Sequence, residues 1–264
     1  MLKLTYIWHS CFVAETPCLT AVFDFWKDPM VEEGELPIFL RETPESKPLY
    51  VIVSHHHKDH FNRAIFDWQR IHPNTIYIIS RDVEKSVRHL LRQDSIYRGF
   101  RPRPETVVVL RPGESWSDSM LKVRAFGSTD IGNSYLISAS GKNIFHAGDL
   151  NAWVWKDEST EAEIAAAQRD FKAKIAPIAE LNEEIDIAMF PVDSRIGRDY
   201  WEGAAIFVRS LNVRRFFPMH FALGADDAEQ RRFALDASRF EAYANPERGE
   251  YIALERPYSA FACG

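Results

Sequence analysis

The run His55-His56-His57-Lys58-Asp59-His60 puts four candidate metal ligands, His55, His57, Asp59 and His60, into a single short stretch. His55 and His57 stand two apart, so on an extended segment their side chains point the same way, while Asp59 and His60 reach a neighbouring point once the chain turns. Two adjacent cation positions are implied. Imidazole and carboxylate donors together suit Zn, Mn or Fe(II), and the lack of thiolates nearby argues against a structural cysteine-type zinc site. A cation held this way lowers the pKa of water from 15.7 towards about 7 and polarises the oxygen under attack, so the chemistry indicated is hydrolysis, with Asp59 orienting or deprotonating the water. A solvated turn or a histidine tag would be the bland alternative. A tag is terminal and lacks the aspartate, and a turn has no need of four titratable groups behind a buried strand.

The element that must position this run is Leu49-Tyr50-Val51-Ile52-Val53, which reads as a fully buried strand. Carboxyl ends of strands are where α/β folds place their chemistry, so further ligands should close other strands. Asp149 closes Ile144-Phe145-His146-Ala147-Gly148, with Gly148 allowing close backbone approach, and His220 closes Phe216-Phe217-Pro218-Met219. Singly, each resembles an ordinary turn or structural residue; beside the first motif they read as ligands. Pro191 to Arg198 also follows a buried strand. There Arg195 or Arg198 is a candidate to clamp a phosphate or carboxylate bidentately, with surface ion pairing as the alternative. Trp153 and Trp155 either wall the pocket or pack under the following helix.

The surrounding pattern predicts a hairpin of Leu2 to Val13 and Leu19 to Phe25, then a loop from Trp26 to Pro48 long enough to be a functional segment or a solvated insertion. A helix-like stretch follows from Arg63 to Ile71, a strand from Thr75 to Ile79, a helix from about Asp82 to Arg92 opening on that aspartate as cap, and a strand from Thr106 to Leu110. The second part repeats this grammar. It has a strand Leu121 to Phe126, a hairpin of Ser134 to Ser138 and Asn143 to His146 turning at Ser140-Gly141, and a helix between about Ser159 and Leu181 with Ile164, Phe171, Ile175 and Ile178 on one face. Strands Ile185 to Pro191, Arg215 to His220 and Tyr251 to Glu255 and helices Trp201 to Leu211 and Asp226 to Asp236 complete it. Two strand-rich halves, about 1–120 and 121–264, suggest two sheets packed face to face with helices outside, as one domain.

The 264 residues, 46% hydrophobic and 27% charged, are enough to bury a large core. A formal charge of -6, from 32 basic and 38 acidic residues, gives no chain-wide footprint for nucleic acid and favours a small molecule. Cys11, Cys18 and Cys263 lack Cys-x-x-Cys spacing and cannot all pair, as in a reducing compartment. No signal peptide and no membrane span is legible. A cytoplasmic location without membrane association is expected.

His55-x-His57-x-Asp59-His60, then Gly148-Asp149, then His220, in this order and at strand ends, resembles the metallo-β-lactamase superfamily. Tyr6-Ile7-Trp8-His9-Ser10-Cys11-Phe12 is similar to the "G-H-S-x-F" first strand of its ascorbate-6-phosphate-lactonase-like and N-acyl-phosphatidylethanolamine-hydrolase-like branch, so the resemblance spans nearly the whole chain. It implies an α/β, four-layer αβ/βα sandwich and one or two divalent metal ions, Zn above all, with Mn or Fe as alternatives. By the family's assignment Asp59, His60, Asp149 and His220 form the second site, and His55, His57 and the bridging Asp149 the first. A third first-site histidine of the family corresponds to Ser128 in Gly127-Ser128-Thr129-Asp130-Ile131-Gly132-Asn133-Ser134-Tyr135-Leu136-Ile137. Asp130, two residues on, is a candidate to replace it, with a loop cap as the alternative. His9 is expected near the pocket as a supporting rather than ligating residue, His146 likewise, and His56, His72 and His89 as solvated or capping residues. The superfamily's chemistry implies a metal-dependent hydrolase of a small anionic ester or lactone. Two alternatives are a phosphodiesterase or nuclease, and a non-catalytic metal or ligand binder with a degenerate first site.

Overall fold

β-Branched and aromatic runs form the strands of two seven-stranded sheets, one in each of two units of the computed structural model, residues 1–111 with 256–264 and residues 112–255. The structure describes residues 1–92, 94, 96–239 and 249–264. Both units are α/β.

In the first unit the strands are β1 (Leu2–Trp8), β2 (Cys11–Glu15), β3 (Thr20–Phe23), β4 (Leu49–Val53), β5 (Thr75–Ser80) and β6 (Val107–Leu110), in that spatial order. The C-terminal strand Ala260–Cys263 pairs antiparallel with β1, so residues 256–264 return to the first sheet. β1 to β3 are antiparallel neighbours, whereas β3 to β6 run parallel. All five residues of β4 are buried, as a central parallel strand requires. Its core is closed by α1 (Ile38–Glu42), the 3-10 segment Arg63–Arg70, α2 (Arg81–Ser86) and α3 (Arg88–Leu91) through side chains such as Phe39, Phe66, Trp68 and Val83. Each such buried apolar side chain contributes about 1.5–3 kcal/mol.

Local geometry corrects several expected boundaries. The expected strand Leu2 to Val13 is broken at His9, whose φ of 59° takes the chain through a sharp turn, and its N–H donates to the Tyr6 hydroxyl at 2.8 Å. α1 interrupts the expected loop from Trp26 to Pro48. The expected single helix from Asp82 divides at Val87, where φ −110° and ψ 15° leave the helical region. Ser80 holds its cap position, because the Asp82 carboxylate instead accepts the His56 N–H at 2.9 Å.

The second unit contains β7 (Ser115–Ser117), β8 (Leu121–Gly127), β9 (Asn133–Ala139), β10 (Lys142–His146), β11 (Ile187–Pro191), β12 (Arg215–Met219) and β13 (Glu250–Tyr251), neighbours in sequence order. The expected last strand Tyr251 to Glu255 is thus a two-residue segment ending at Tyr251. β9 and β10 turn at Ser140-Gly141 with φ of 51° and 73°, matching the twist of a tight hairpin. β10, β11, β12 and β13 are parallel, so their carboxyl ends lie side by side. α4 (Glu161–Ala179) starts in a capping box of Thr160 and Glu163 and buries Phe171, Ile175 and Ile178, packing with β8 and α5 (Glu202–Ser210). α6 (Asp227–Ser238) packs on β12. Among the described residues no helix is long and apolar enough to cross a membrane.

Candidate functional site

In the first unit the parallel pairing of β3 with β4, Phe23 opposite Ile52, sets the residue after one strand beside those after the other. The neighbour of the histidine run is Asp24, with φ of 43° and 1% exposure. Its Oδ1 accepts the Ser54 N–H at 2.7 Å, and its Oδ2 accepts the Ser54 hydroxyl at 2.5 Å and faces His60 Nδ1 at 2.7 Å. Ser54 Oγ also lies 2.9 Å from His55 Nδ1. Ser54 has one hydroxyl proton and Asp24 takes it, so His55 Nδ1–H must be the donor of that contact. Both His55 and His60 are thereby set as Nδ1–H tautomers, with the lone pair of each ring on Nε2.

The rings of His55 and His60 are 4.2 Å apart and those of His55 and His57 4.6 Å. Asp24, His55 and His60 each place a ligand atom within 4.8 Å of the others, and so do His9, Asp59 and His60. His9 is fully buried, and its Nε2 lies 3.4 Å from Asp59 Oδ2. His56 turns to Asp82 at 3.0 Å, the opposite sense from its two neighbours, as alternation requires. His72 corrects an expectation. It is 3% exposed, and its Nε2 lies 3.1 Å from the Leu40 carbonyl, so it ties α1 to the core rather than standing in solvent. Residues of the segment 25–37 line a cavity of about 1090 Å³ together with His56, Lys58, Phe61 and Trp68. In that segment Lys27 Nζ stands 4.4 Å from the Trp26 ring and 5.3 Å from that of Trp8.

In the second unit three adjacent parallel strands deliver Asp149, Asp193 and His220. Gly148 takes φ 55° before Asp149, and His220 itself takes φ 68°. A non-glycine residue in this region is strained, and such strain gathers at functional sites. His220 Nε2 lies 3.2 Å from Asp149 Oδ1 and its Nδ1 2.9 Å from Asp193 Oδ2. Burial pulls the His220 pKa down, but the carboxylates of Asp149 and Asp193 outweigh it and carry it up to about 9. Burial likewise opposes ionisation of Asp193, yet His220 and Arg195 hold its carboxyl well below the usual range.

Trp153 stands beside His220. Its ring is 5.3 Å from that of His220 and its Nε1–H donates to the Asp149 carbonyl at 2.8 Å. Trp155 is exposed. The Ser128 hydroxyl accepts the Asp130 N–H at 3.2 Å, and Asp130 and Asp149 each bring a carboxylate oxygen within 4.8 Å of the other. Thr129 accepts the Asn151 N–H at 3.0 Å and donates to the Asn151 carbonyl at 2.6 Å, which fastens this segment to the Asp149 turn. Arg195 Nε donates to both oxygens of Asp193, at 2.9 and 3.0 Å. Arg198 is exposed and makes a 3.7 Å surface pair with Asp157. His146 accepts the Gly148 N–H at 3.2 Å, a supporting role.

Asp24 and Asp193 are the residues that the sequence reading passed over. Each closes a buried apolar strand, the same signal that singled out Asp149. Imidazoles held by carboxylates or a hydroxyl through Nδ1, beside further carboxylates and without a thiolate in these clusters, form a donor set that fits Zn, Mn or Fe(II).

Comparison with known proteins agrees with this reading of the fold. Residues 21–221 match the family model described as "Beta-lactamase superfamily domain". A "UPF0173 metal-dependent hydrolase" from Pyrobaculum islandicum is 22% identical over 257 residues, covering 92% of this chain and 96% of the relative. Among solved structures, Igni18, described as a novel metallo hydrolase from Ignicoccus hospitalis, superposes with a TM-score of 0.61 at 16% identity, covering 100% of this chain and 99% of that one. CmlA of Streptomyces venezuelae, described as a diiron β-hydroxylase, gives 0.59 at 15% identity, covering 96% of this chain and 53% of that one.

Proposed function

The chain belongs to the beta-lactamase superfamily, and we propose that it is a metal-dependent hydrolase of a small anionic ester or lactone. The candidate ligands in this reading are His55, His57, Asp59 and His60 in the first unit and, in the second, Asp149 and His220, with Asp130 as a further candidate at the position beside Ser128. The observation that supports the reading is the orientation of His55 and His60 by Asp24 and Ser54, which puts the lone pair of each ring on Nε2. The name of the Pyrobaculum relative supports the same class. The branch with ascorbate-6-phosphate lactonases and N-acyl-phosphatidylethanolamine hydrolases is supported by Trp8-His9-Ser10-Cys11-Phe12 alone. A cytoplasmic location is favoured by the three cysteines, which have no Cys-x-x-Cys spacing and are all free of disulfide bonds.

A divalent cation, when bound, supplies Lewis acidity and brings the pKa of water down towards about 7. The protein's own part is positional. Asp24 and Ser54 hold His60 and His55, Asp193 holds His220, and Asp59, 28% exposed, takes the proton of the attacking water. Arg198 pairs with Asp157 at the surface, the alternative to a clamp on the substrate's anionic group, for which it stays a candidate. Acidic net charge favours a small substrate over a polynucleotide.

The test is turnover on a panel of esters, lactones and phosphodiesters by the wild type and Asp149→Ala. Ester or lactone hydrolysis lost in the variant supports the reading. Hydrolysis of phosphodiesters alone moves the protein to the phosphodiesterase class, and zinc binding without turnover on any member makes it a non-catalytic binder.

A further inference from the structure

We propose that Asp193 and Arg195 act as a positioning pair that holds His220 as a ligand, with Arg195 working on the protein's own carboxylate rather than on substrate. This rests on the reading of His220 as a metal ligand.

The placement begins in the backbone. β11 and β12 are parallel with Pro191 opposite Met219, and the Val192 N–H donates to the Met219 carbonyl at 3.0 Å, so the two chains leave the sheet together. Asp193 is 2% exposed. A carboxylate this buried persists only where donors replace its water. Oδ1 accepts the Arg195 N–H at 3.0 Å and Nε–H at 2.9 Å, while Oδ2 accepts Nη2–H at 2.5 Å and faces His220 Nδ1 at 2.9 Å.

An oxygen that accepts from a guanidinium acts as an acceptor towards the imidazole too, so the proton between Asp193 and His220 belongs to Nδ1. The proton that a metal would displace is then the one on Nε2, the atom 3.2 Å from Asp149 Oδ1, and its loss leaves the ligating lone pair there. Arg195 Nη2 lies 3.4 Å from His220 Nδ1. Two donors at that separation repel unless a common acceptor joins them, and Asp193 Oδ2 is that acceptor. The pair also accounts for the backbone. His220 sits at φ 68°, a strained conformation that persists where surrounding contacts over-determine it. The sequence alternative for Arg195, a bidentate clamp on a substrate anion, uses the same planar fork, which here is turned onto Asp193.

Zinc affinity measured by competition with a chromophoric chelator, and the visible spectrum of the cobalt-loaded protein, test this in the full-length chain. Asp193→Asn is expected to weaken zinc binding by about 10–100-fold, as loss of such a supporting partner does. Arg195→Met should weaken it severalfold and shift the cobalt bands, and Asp193→Glu should recover part of the loss. Should Asp193→Asn not fold, Arg195→Met decides by the same two readouts, since the Arg195 side chain is 32% exposed and its removal opens no core. Folded variants that bind zinc within twofold of wild type with an unchanged cobalt spectrum overturn the proposal, which is also what a purely substrate-binding Arg195 would give. A wild-type chain that takes up no zinc removes the ligand reading itself, and this inference with it.

Discussion

Asp24 Oδ2 lies 2.7 Å from His60 Nδ1, and the same oxygen accepts the Ser54 hydroxyl whose Oγ faces His55 Nδ1. One buried carboxylate therefore sets the tautomer of two histidines, directly for one and through a single hydroxyl for the other. Asp24→Ala leaves the Ser54 N–H, the Ser54 hydroxyl and His60 Nδ1–H without their acceptor. Each unsatisfied buried donor costs about 1–3 kcal/mol. The metal-free variant should lose about 3 kcal/mol or more in urea unfolding, and its zinc affinity should fall by about 10–100-fold. Wild-type stability and affinity would show that Asp24 does not hold these rings.

His220 gives a pH dependence. Its folded pKa of about 9 lies above the unfolded value of about 6.5. The protonated form is thus favoured by folding, and the stability it contributes is full below about pH 6.5 and lost as pH rises through about 9. Metal-free protein should weaken by an amount on the order of a few kcal/mol across that window. Asp149→Asn should flatten the slope. Zinc uptake at pH 7 should release the His220 proton, measurable as a buffer-dependent binding enthalpy. A flat unfolding profile between pH 6.5 and 9 would contradict the assignment.

Ser128→His tests the vacancy that the sequence points to. The substitution should raise metal content per chain in elemental analysis. An unchanged ratio would show that Asp130 or another residue already completes that position, or that a histidine there cannot reach it.

The segment lining the first-unit cavity is anchored at Asp28, whose carboxylate accepts the N–H of Met30 at 2.9 Å, the N–H of Ile38 at 3.0 Å and the hydroxyl of Tyr258 from the C-terminal segment. Burial first, and then Asp28, push the Tyr258 pKa up. Tyr258→Phe should cost about 1 kcal/mol and speed protease cleavage within 29–37. Equal cleavage rates would show that the backbone contacts alone suffice.

Much of this was legible before any coordinates. The candidate ligands His55, His57, Asp59 and His60 occupy one turn, so their shared purpose is written in contiguous sequence, and the β9–β10 hairpin announces itself through Ser140-Gly141. Asp24 and Asp193 were hidden for a physical reason. Their meaning depends on the parallel pairings of β3 with β4 and β11 with β12, and no local pattern states which strand ends become neighbours. Asp24 was absorbed into an apolar run ending at Phe25, and in the 191–198 segment the arginines drew attention that belonged to the aspartate between them and the strand. The return of Ala260–Cys263 to β1 is the same kind of information, a pairing across the whole chain. His72 was misread because only its contact with the Leu40 carbonyl distinguishes it from a surface histidine.

The central claim, that this chain uses a divalent cation on its histidine and aspartate set for hydrolysis, meets its most direct test in one chelation experiment. The purified protein is assayed on the ester and lactone panel before removal of metal, after it, and after titration with zinc, with metal content measured at each stage. The account predicts one or two zinc ions per chain and turnover that disappears with the metal and returns in proportion to it. Turnover that is the same with and without metal, or a chain that binds no zinc at any stage, would contradict it.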